Sequence, residues 1–522
     1  MNPLLIVMGV VLATPLFAQS LARDPQNPRC FVYKGNHVVL ITATEHYGAI
    51  LNRDFSYLPY LDELARHKLN LSRVFTFYRE LEDSIHSLGF ANTLAPRAGR
   101  EVLPWKRVGP GRARDGGLRF DLSQWNREYF SRFKDFLQQA ARRDIVVEVT
   151  LFCNPYRQNI LSWLPCFRDN NVNGVGASLT EPDQFYRVHD PTVFDFQKNF
   201  VRMIVQELNP FDNLYFEILN EGAAITRESA DQMRAWHEAL CDVVRETEKD
   251  LPKKHLIAVN AHQQVPVSVE EDRRYLDIGD VQYFNDPRVD IINYHYLSRR
   301  SPGKKSSVYY PANPREGRIG NIWSFVRSRA YLDKPVSFDE NYAGIINGAP
   351  DNWDRNRIEA WETILSGGAV FDHLDWSFTP QDSAGAGNAP IGDGRKLDGR
   401  TLRAQLGALA ALWRESGPEK MLPDYELVVS APPQSAAFAS RRTDGKRYVV
   451  YVADRRANAE GFGDALRGEI ALRLPKGRYR LRILHSGAVT WTAAGIVTAS
   501  SRETKVALPK FRRDCGVVLE IE

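Results

Sequence analysis

Two segments place a carboxylate where an apolar run ends. LYFEIL (214–219) leads into Asn220-Glu221-Gly222, and PVSFD (335–339) leads into Glu340-Asn341. Two carboxyls across a narrow opening can share the work of cleaving an acetal such as a glycosidic bond. One protonates the departing oxygen while the other attacks the carbon or activates water. A lone glutamate of this kind more often pairs with a nearby arginine or caps a helix, which explains one such position better than two. Other polar residues end or follow apolar runs in the same way: Arg73 in NLSRVFTF (70–77), Asn154 after IVVEVTLF (145–152), His295 and Tyr296 in DIINYHY (290–296), Trp376 in AVFDHLDWSF (369–378), and Glu45-His46-Tyr47 after VVLITA (38–43). Singly, each has a structural explanation as a salt bridge, a core histidine or a packing ring; their joint placement at strand ends favours a site. Glu45, Glu217 and Asp339 are rival carboxylates. Strand alternation sets Glu217 deeper and points Asp339 away from Glu340, so both read as structural.

These residues sit on a repeating pattern. Eight short β-branched apolar runs, at 38–43, 70–77, 145–152, 214–219, 255–260, 290–296, 335–340 and 369–378, are nearly all separated by helical patterns. Such alternation predicts a parallel sheet sheathed by helices, and eight units favour a closed (β/α)8 TIM barrel over an open sheet. No GxGxxG follows any strand, so a dinucleotide site has no support. Surplus length falls in loops at 79–122, 153–190, 297–315 and 379–400, on the face where barrels build active sites. Those after the second, third and eighth strands could wall off a pocket, which would favour exo-action or short oligosaccharides over an open cleft. After Pro423 the runs YELVVS, AAFASRR, RYVVYVAD, EIALRLP, YRLRILHS and KVALPK alternate at short spacing, predicting a small all-β sandwich. Trp491 stands alone there, so the module reads as a buttress for the barrel rather than a carbohydrate binder.

The chain has 522 residues, 43% apolar and 25% charged, the profile of a globular enzyme. A net charge of +4 is too weak for a nucleic-acid or anionic-membrane partner. Residues 3–18 form an apolar run too short to span a bilayer and end in Leu16-Phe17-Ala18. This reads as a signal peptide over 1–18, giving a secreted or periplasmic protein with no membrane partner once the leader is removed. The barrel is then expected over 19–418 and the sandwich over 424–522. The five cysteines fit no zinc module. In an oxidising compartment Cys153 could bridge Cys166 and Cys30 could bridge Cys515, with Cys241 buried and free.

FEILNEGAA and SFDENYAG together resemble the acid/base and nucleophile strands of the retaining clan A glycoside hydrolases, closest in style to family 5 (cellulase-like glycosidases). The resemblance covers about residues 30–415. It implies Glu221 as acid/base, Asn220 as donor to a sugar 2-hydroxyl and Glu340 as nucleophile. It also implies Arg73 beside the nucleophile, His295 and Tyr296 near it, and Trp376 as a platform under the sugar. His46 and Tyr47 form a further sugar-binding cluster. The family's histidine after the third strand is missing, and Asn154 stands near its place. The implied activity is hydrolysis of a β-linked glycosidic bond with retention, on an oligosaccharide or polysaccharide. The mechanism asks for no metal or organic cofactor, and for a raised Glu221 pKa. The alternative of a non-catalytic glycan-binding barrel keeps the aromatics but has no use for both glutamates. A metal-dependent hydrolase wants His-x-His after the first strand, where TATEHYG offers one histidine.

Overall fold

Apolar runs become strands where both faces of a sheet are covered. The computed structural model describes residues 20–77, 92–222, 227–260, 283, 285–295, 319–341, 352–392, 394–456 and 463–522. The leader expected over 1–18 and Tyr296 lie outside these residues. Eight parallel strands carry the site: β1 (Leu40–Thr44), β2 (Leu71–Phe75), β3 (Val146–Cys153), β4 (Leu214–Asn220), β5 (Ile257–Asn260), β6 (Ile291–His295), β7 (Val336–Glu340) and β8 (Val370–Leu374). Every residue in them is buried, as strands flanked on both faces require.

The connecting helices are α1 (Tyr57–Arg66), α2 (Arg127–Ala141), α3 (Pro191–Leu208), α4 (Arg227–Glu248), α5 (Asn321–Ser328), α6 (Asn352–Leu365) and α7 (Arg400–Ser416). In α2, Tyr129, Phe130, Phe133, Phe136, Leu137 and Ala140 make the buried stripe, and the Asn126 side chain caps its start by accepting from the Glu128 N–H. Asp190 caps α3 in the same way, with Pro191 in its first turn.

The strand order is β1-β8-β7-β6-β5-β4-β3-β2, with β1 and β2 meeting at the seam. Side chains help close it. Asn70 accepts from the Ile41 N–H (2.9 Å) and donates to the Val39 carbonyl (2.9 Å), and the Thr42 hydroxyl donates to the Leu71 carbonyl (2.6 Å). The barrel floor is apolar: Leu40, Leu71, Val146, Tyr215, Ala258, Ile291 and Val370 pack on Phe31 and Tyr33 of an N-terminal antiparallel sheet and on Leu21 just before it. Above it the interior turns polar, and the loops beyond carry the extra length. These hold a hairpin of Trp105–Arg112 with Leu118–Trp125 after β2, and a second of Ala386–Pro390 with Lys396–Asp398 after β8.

Two antiparallel sheets, of six and three strands, follow the barrel. The strand Arg447–Asp454 is buried on both faces: Val450 and Val452 enter the core between the sheets, while Val449, Tyr451 and Ala453 face the barrel. Tyr451 stacks on Trp361 of α6 (4.8 Å between centroids, 6° apart), Trp491 meets the edge of Trp361, and Arg357 pairs with Asp514. Trp491 is therefore a packing residue. The architecture is the predicted barrel with a C-terminal β module. Strands Thr492–Ala499 and Asp514–Ile521 go beyond the predicted runs: the first is a mostly exposed strand of small residues, the second a central strand without alternation.

All five cysteines are buried free thiols, contrary to both expected bridges. Cys30 packs with the barrel and Cys515 in the core between the C-terminal sheets, while Cys153 lies against Asn220 and Tyr156. Among the described residues no helix is long and apolar enough to cross a membrane.

Asn70→Ala removes both side-chain bonds across the seam. It is expected to lower stability by about 2 kcal/mol, read as a fall in the urea midpoint. A loss under about 0.5 kcal/mol, within the range of ordinary surface substitutions, would show that the seam does not need them.

Candidate active site

The upper barrel is organised around a fully buried arginine. Arg73 on β2 donates from Nη1 to Glu340 Oε1 (2.7 Å) and from Nη2 to Glu217 Oε2 (2.5 Å) and Asn220 Oδ1 (2.8 Å), while Nε lies 3.0 Å from Asp339 Oδ2. Glu148 stands 3.9 Å away. Thr150 and Asn293 complete the shell of Glu217, each donating to one of its oxygens (2.8 Å).

So many buried acids cannot all ionise beside one guanidinium. Burial, reinforced by the charges of Asp339 and Glu217, pushes Glu148 well above the usual range, and Tyr215 donates to it at 2.8 Å. Burial also raises Glu217, against the pull of Arg73. Asp339 goes the other way: the charges of Arg73 and His295 overcome burial and bring it to about 2.

Asp339 corrects the sequence reading. Alternation points it away from Glu340, yet both reach Arg73. The register explains this: Asn293 pairs with Ser337 and His295 with Glu340, so β7 spends three residues where β6 spends two. The bulge breaks alternation and re-aims the strand end. Asn341 holds it there, donating to the carbonyls of Phe338 and Asp372 (both 2.8 Å).

His295 ends β6 between the acids. Its Nε2 lies 2.9 Å from Asp339, and its Nδ1 lies 3.2 Å from Glu221 Oε1 and 3.7 Å from Glu340 Oε2. Burial alone would lower its pKa, but Glu340 and Asp339 raise it well above 6.5. Glu221, just past β4, has a left-handed backbone (φ 50°). Burial would raise its pKa, but the hydrogen bond and charge of His295 and the Tyr156 hydroxyl lower it. The expected upward shift is therefore absent while this histidine is charged. One oxygen from each of Glu221 and Glu340 and a nitrogen of His295 lie within 4.8 Å of one another. The same atoms form an ion-pair network, with His295 between the two carboxylates and Arg73 on Oε1 of Glu340.

The turn after β1 supplies Tyr47, whose hydroxyl donates to Glu340 Oε1 and whose ring stacks on Phe75 (3.9 Å, 8°). Glu45 is no rival nucleophile. Its buried carboxyl accepts from the N–H groups of Gly48 (2.7 Å) and Ala49 (3.1 Å), which holds this turn, and burial raises its pKa to about 8. Gly48 must be glycine, because a Cβ would lie 2.4 Å from Leu94 Cβ. His46 packs on Trp376, with ring centroids 3.9 Å apart, and Trp376 is only 2% exposed.

Asn154 spends its amide on the backbone: it donates to the Glu221 carbonyl (2.8 Å) and accepts from the Tyr156 N–H (3.0 Å) and the Tyr186 hydroxyl (2.9 Å). It carries Tyr156, a residue the sequence reading missed. The Tyr156 hydroxyl donates to Glu221 Oε2 (2.7 Å) and accepts from Asn220 Nδ2 (2.9 Å). Its one sequence signal was the polar Cys-Asn-Pro-Tyr end of the third apolar run.

No protein-family model and no curated protein matches the sequence. Solved structures do. A glycoside hydrolase aligns with a TM-score of 0.59 at 13% identity, over 97% of each chain. A family 5 glycoside hydrolase from Bacteroides vulgatus aligns with a TM-score of 0.60 at 14% identity, over 96% of this chain and 93% of that one. The fold is that of the family 5 glycoside hydrolases. Both alignments run through barrel and β module alike, so the family 5 fold here includes the C-terminal sheets.

The linkage between pH and stability has a definite sign. His295 holds its proton above the unfolded value of 6.5, so its contribution is complete below pH 6.5 and is lost as pH rises through the folded value. Glu45 and Glu362, raised by burial to about 8, act in the same direction between pH 4.5 and 8. Urea stability of the wild type is therefore expected to fall from about pH 5 to 9. Its advantage over His295→Gln should be largest near pH 6 and shrink toward pH 9; an advantage that grows with pH would contradict this charge assignment.

Proposed function

We propose that the protein is a retaining glycoside hydrolase with Glu340 as nucleophile and Glu221 as acid/base. The observation that carries this reading is that one oxygen of Glu221 and one oxygen of Glu340 lie within 4.8 Å of each other beside His295, a close approach that favours the retaining arrangement. Retaining enzymes keep their carboxyls about 5–5.5 Å apart, whereas inverting enzymes leave roughly 6.5–9.5 Å for a water molecule.

Arg73 and Tyr47 both bind Oε1 of Glu340, and in this reading Oε2, on the side of His295, is the attacking oxygen. Oε2 forms a bond to the anomeric carbon as the bond to the leaving oxygen breaks, and Glu221 gives that oxygen a proton. Glu221, now a carboxylate, takes a proton from water; the water oxygen attacks the anomeric carbon and frees Glu340. His295 Nδ1 lies 3.2 Å from Glu221 Oε1, and each group shifts the other's pKa, toward a charged imidazole and an ionised carboxylate. A neutral sugar between the carboxylates lengthens the Glu340–His295 interaction and favours transfer of the imidazole proton to Glu221.

The substrate in this reading is a β-linked oligosaccharide or polysaccharide. Deep burial of Glu340 and Trp376, beside a Glu221 side chain 21% exposed, supports a pocket that takes a chain end. Export to the periplasm or medium follows from the leader-like N-terminus.

Incubation with 2-fluoro glycosyl fluorides of glucose, mannose and galactose, followed by peptide mapping, is expected to place the label on Glu340. Azide should rescue Glu221→Ala and give a β-glycosyl azide. Labelling of another residue, or azide products of inverted configuration, would overturn the assignment. A wild type that binds glycans but turns over no aryl β-glycoside or polysaccharide would favour a binding barrel.

A further inference from the structure

We propose that Tyr156 is a positioning residue for the acid/base, the last link of a directional hydrogen-bond relay, Arg73 to Asn220 to Tyr156 to Glu221, that assigns the acidic proton to Glu221 Oε1. This rests on the reading of Glu221 as acid/base.

Direction follows from which groups can only donate. A guanidinium has no acceptor, so the 2.8 Å contact from Arg73 Nη2 fixes the Asn220 amide with Oδ1 toward the arginine. Nδ2 then faces the other way and donates to the Tyr156 oxygen (2.9 Å) and toward Cys153 Sγ (3.5 Å). The phenol has a single hydrogen; Cys153 Sγ lies 3.7 Å from its oxygen, and the close acceptor is Glu221 Oε2 at 2.7 Å. That oxygen is therefore an acceptor. The proton that Glu221 carries as an acid must sit on Oε1, the oxygen 3.2 Å from His295 Nδ1. The groups facing Glu221 are thus His295 from β6, Tyr156 and Cys153 from the end of β3, Glu340 from β7, and Arg73 of β2 through its charge.

The backbone is built for this link. Tyr156 and Glu221 both adopt positive φ (46° and 50°), an uncommon choice for such residues. Asn154 clamps them together, bonded to the N–H of one and the carbonyl of the other. Without the hydroxyl, Glu221 loses a donor to its charged form, so its pKa must rise, and either oxygen can take the proton.

Tyr156 is 38% exposed, so Tyr156→Phe is expected to fold normally. The direct test needs no substrate. In protein labelled with 13C at the glutamate carboxyls, with Glu221→Gln for assignment, Glu221 of the Phe variant should titrate about one pH unit higher, the equivalent of one hydrogen bond to a charged group. The alkaline limb of kcat/KM should move up by the same amount. Phenyl β-glycosides of glucose, mannose or galactose, which need a placed proton, should lose about tenfold, and 2,4-dinitrophenyl β-glycosides less than about twofold. An unmoved Glu221 titration, or equal losses on both leaving groups, would overturn the relay. A shifted titration in a protein that hydrolyses no glycoside would uphold the relay and sink the hydrolase reading.

Discussion

The upper half of the barrel depends on a single buried guanidinium. Arg73 reaches from β2 across the lumen to β4 and β7, and its one guanidinium meets Glu217, Asn220, Asp339 and Glu340 together. A lysine would offer a point charge to one of them, whereas the planar fork addresses several directions at once. Burying such a cation is costly unless carboxylates surround it. Burying so many carboxylates is equally costly without the cation, so neither half is stable alone. The network also pulls its acids apart, raising the Glu148 pKa by burial and lowering that of Asp339 within one cluster.

Around that strut the chain departs from regular geometry wherever a side chain must be aimed. The bulge in β7 turns Asp339 and Glu340 to the same side. Tyr47, Tyr156 and Glu221 all take positive φ. Each departure has a buried polar anchor: Asn341 at the bulge, Glu45 at the Tyr47 turn, and Asn154 between Tyr156 and Glu221. Strained conformations persist only when the surroundings over-determine them, and these anchors hold the strand ends that carry Glu221 and Glu340.

The same division explains what the sequence could show. All eight barrel strands were legible, because a strand covered on both faces must be a continuous apolar run. Glu221, Glu340, Arg73 and His295 stood out as polar residues interrupting or ending such runs. Asp339 was misread because its direction depends on one extra residue in β7, and a bulge leaves no mark on composition. Tyr156 escaped because it acts from beyond the end of β3, through a backbone turn set by Asn154. The Cys30–Cys515 pairing failed for a spatial reason, since the two belong to different cores. The downward shift of Glu221 was equally hidden: burial pointed upward, and the groups that reverse it come from β6 and from the end of β3.

That reversal bears on how the proposed acid can work. With His295 within hydrogen-bonding reach of Glu221 and 3.7 Å from Glu340, the neighbouring carboxylates favour the charged imidazole, which in turn lowers the Glu221 pKa. A sugar ring inserted between the carboxylates weakens one of those attractions while excluding water. Tyr156 continues to favour ionised Glu221 through Oε2, so the proton is not driven fully onto the acid. Opposing pulls of this kind keep an acid/base poised rather than committed, as a residue that must first give and then take a proton requires. Arg73 closes the argument, because the relay ending on Glu221 and the contact holding Glu340 begin on the same guanidinium.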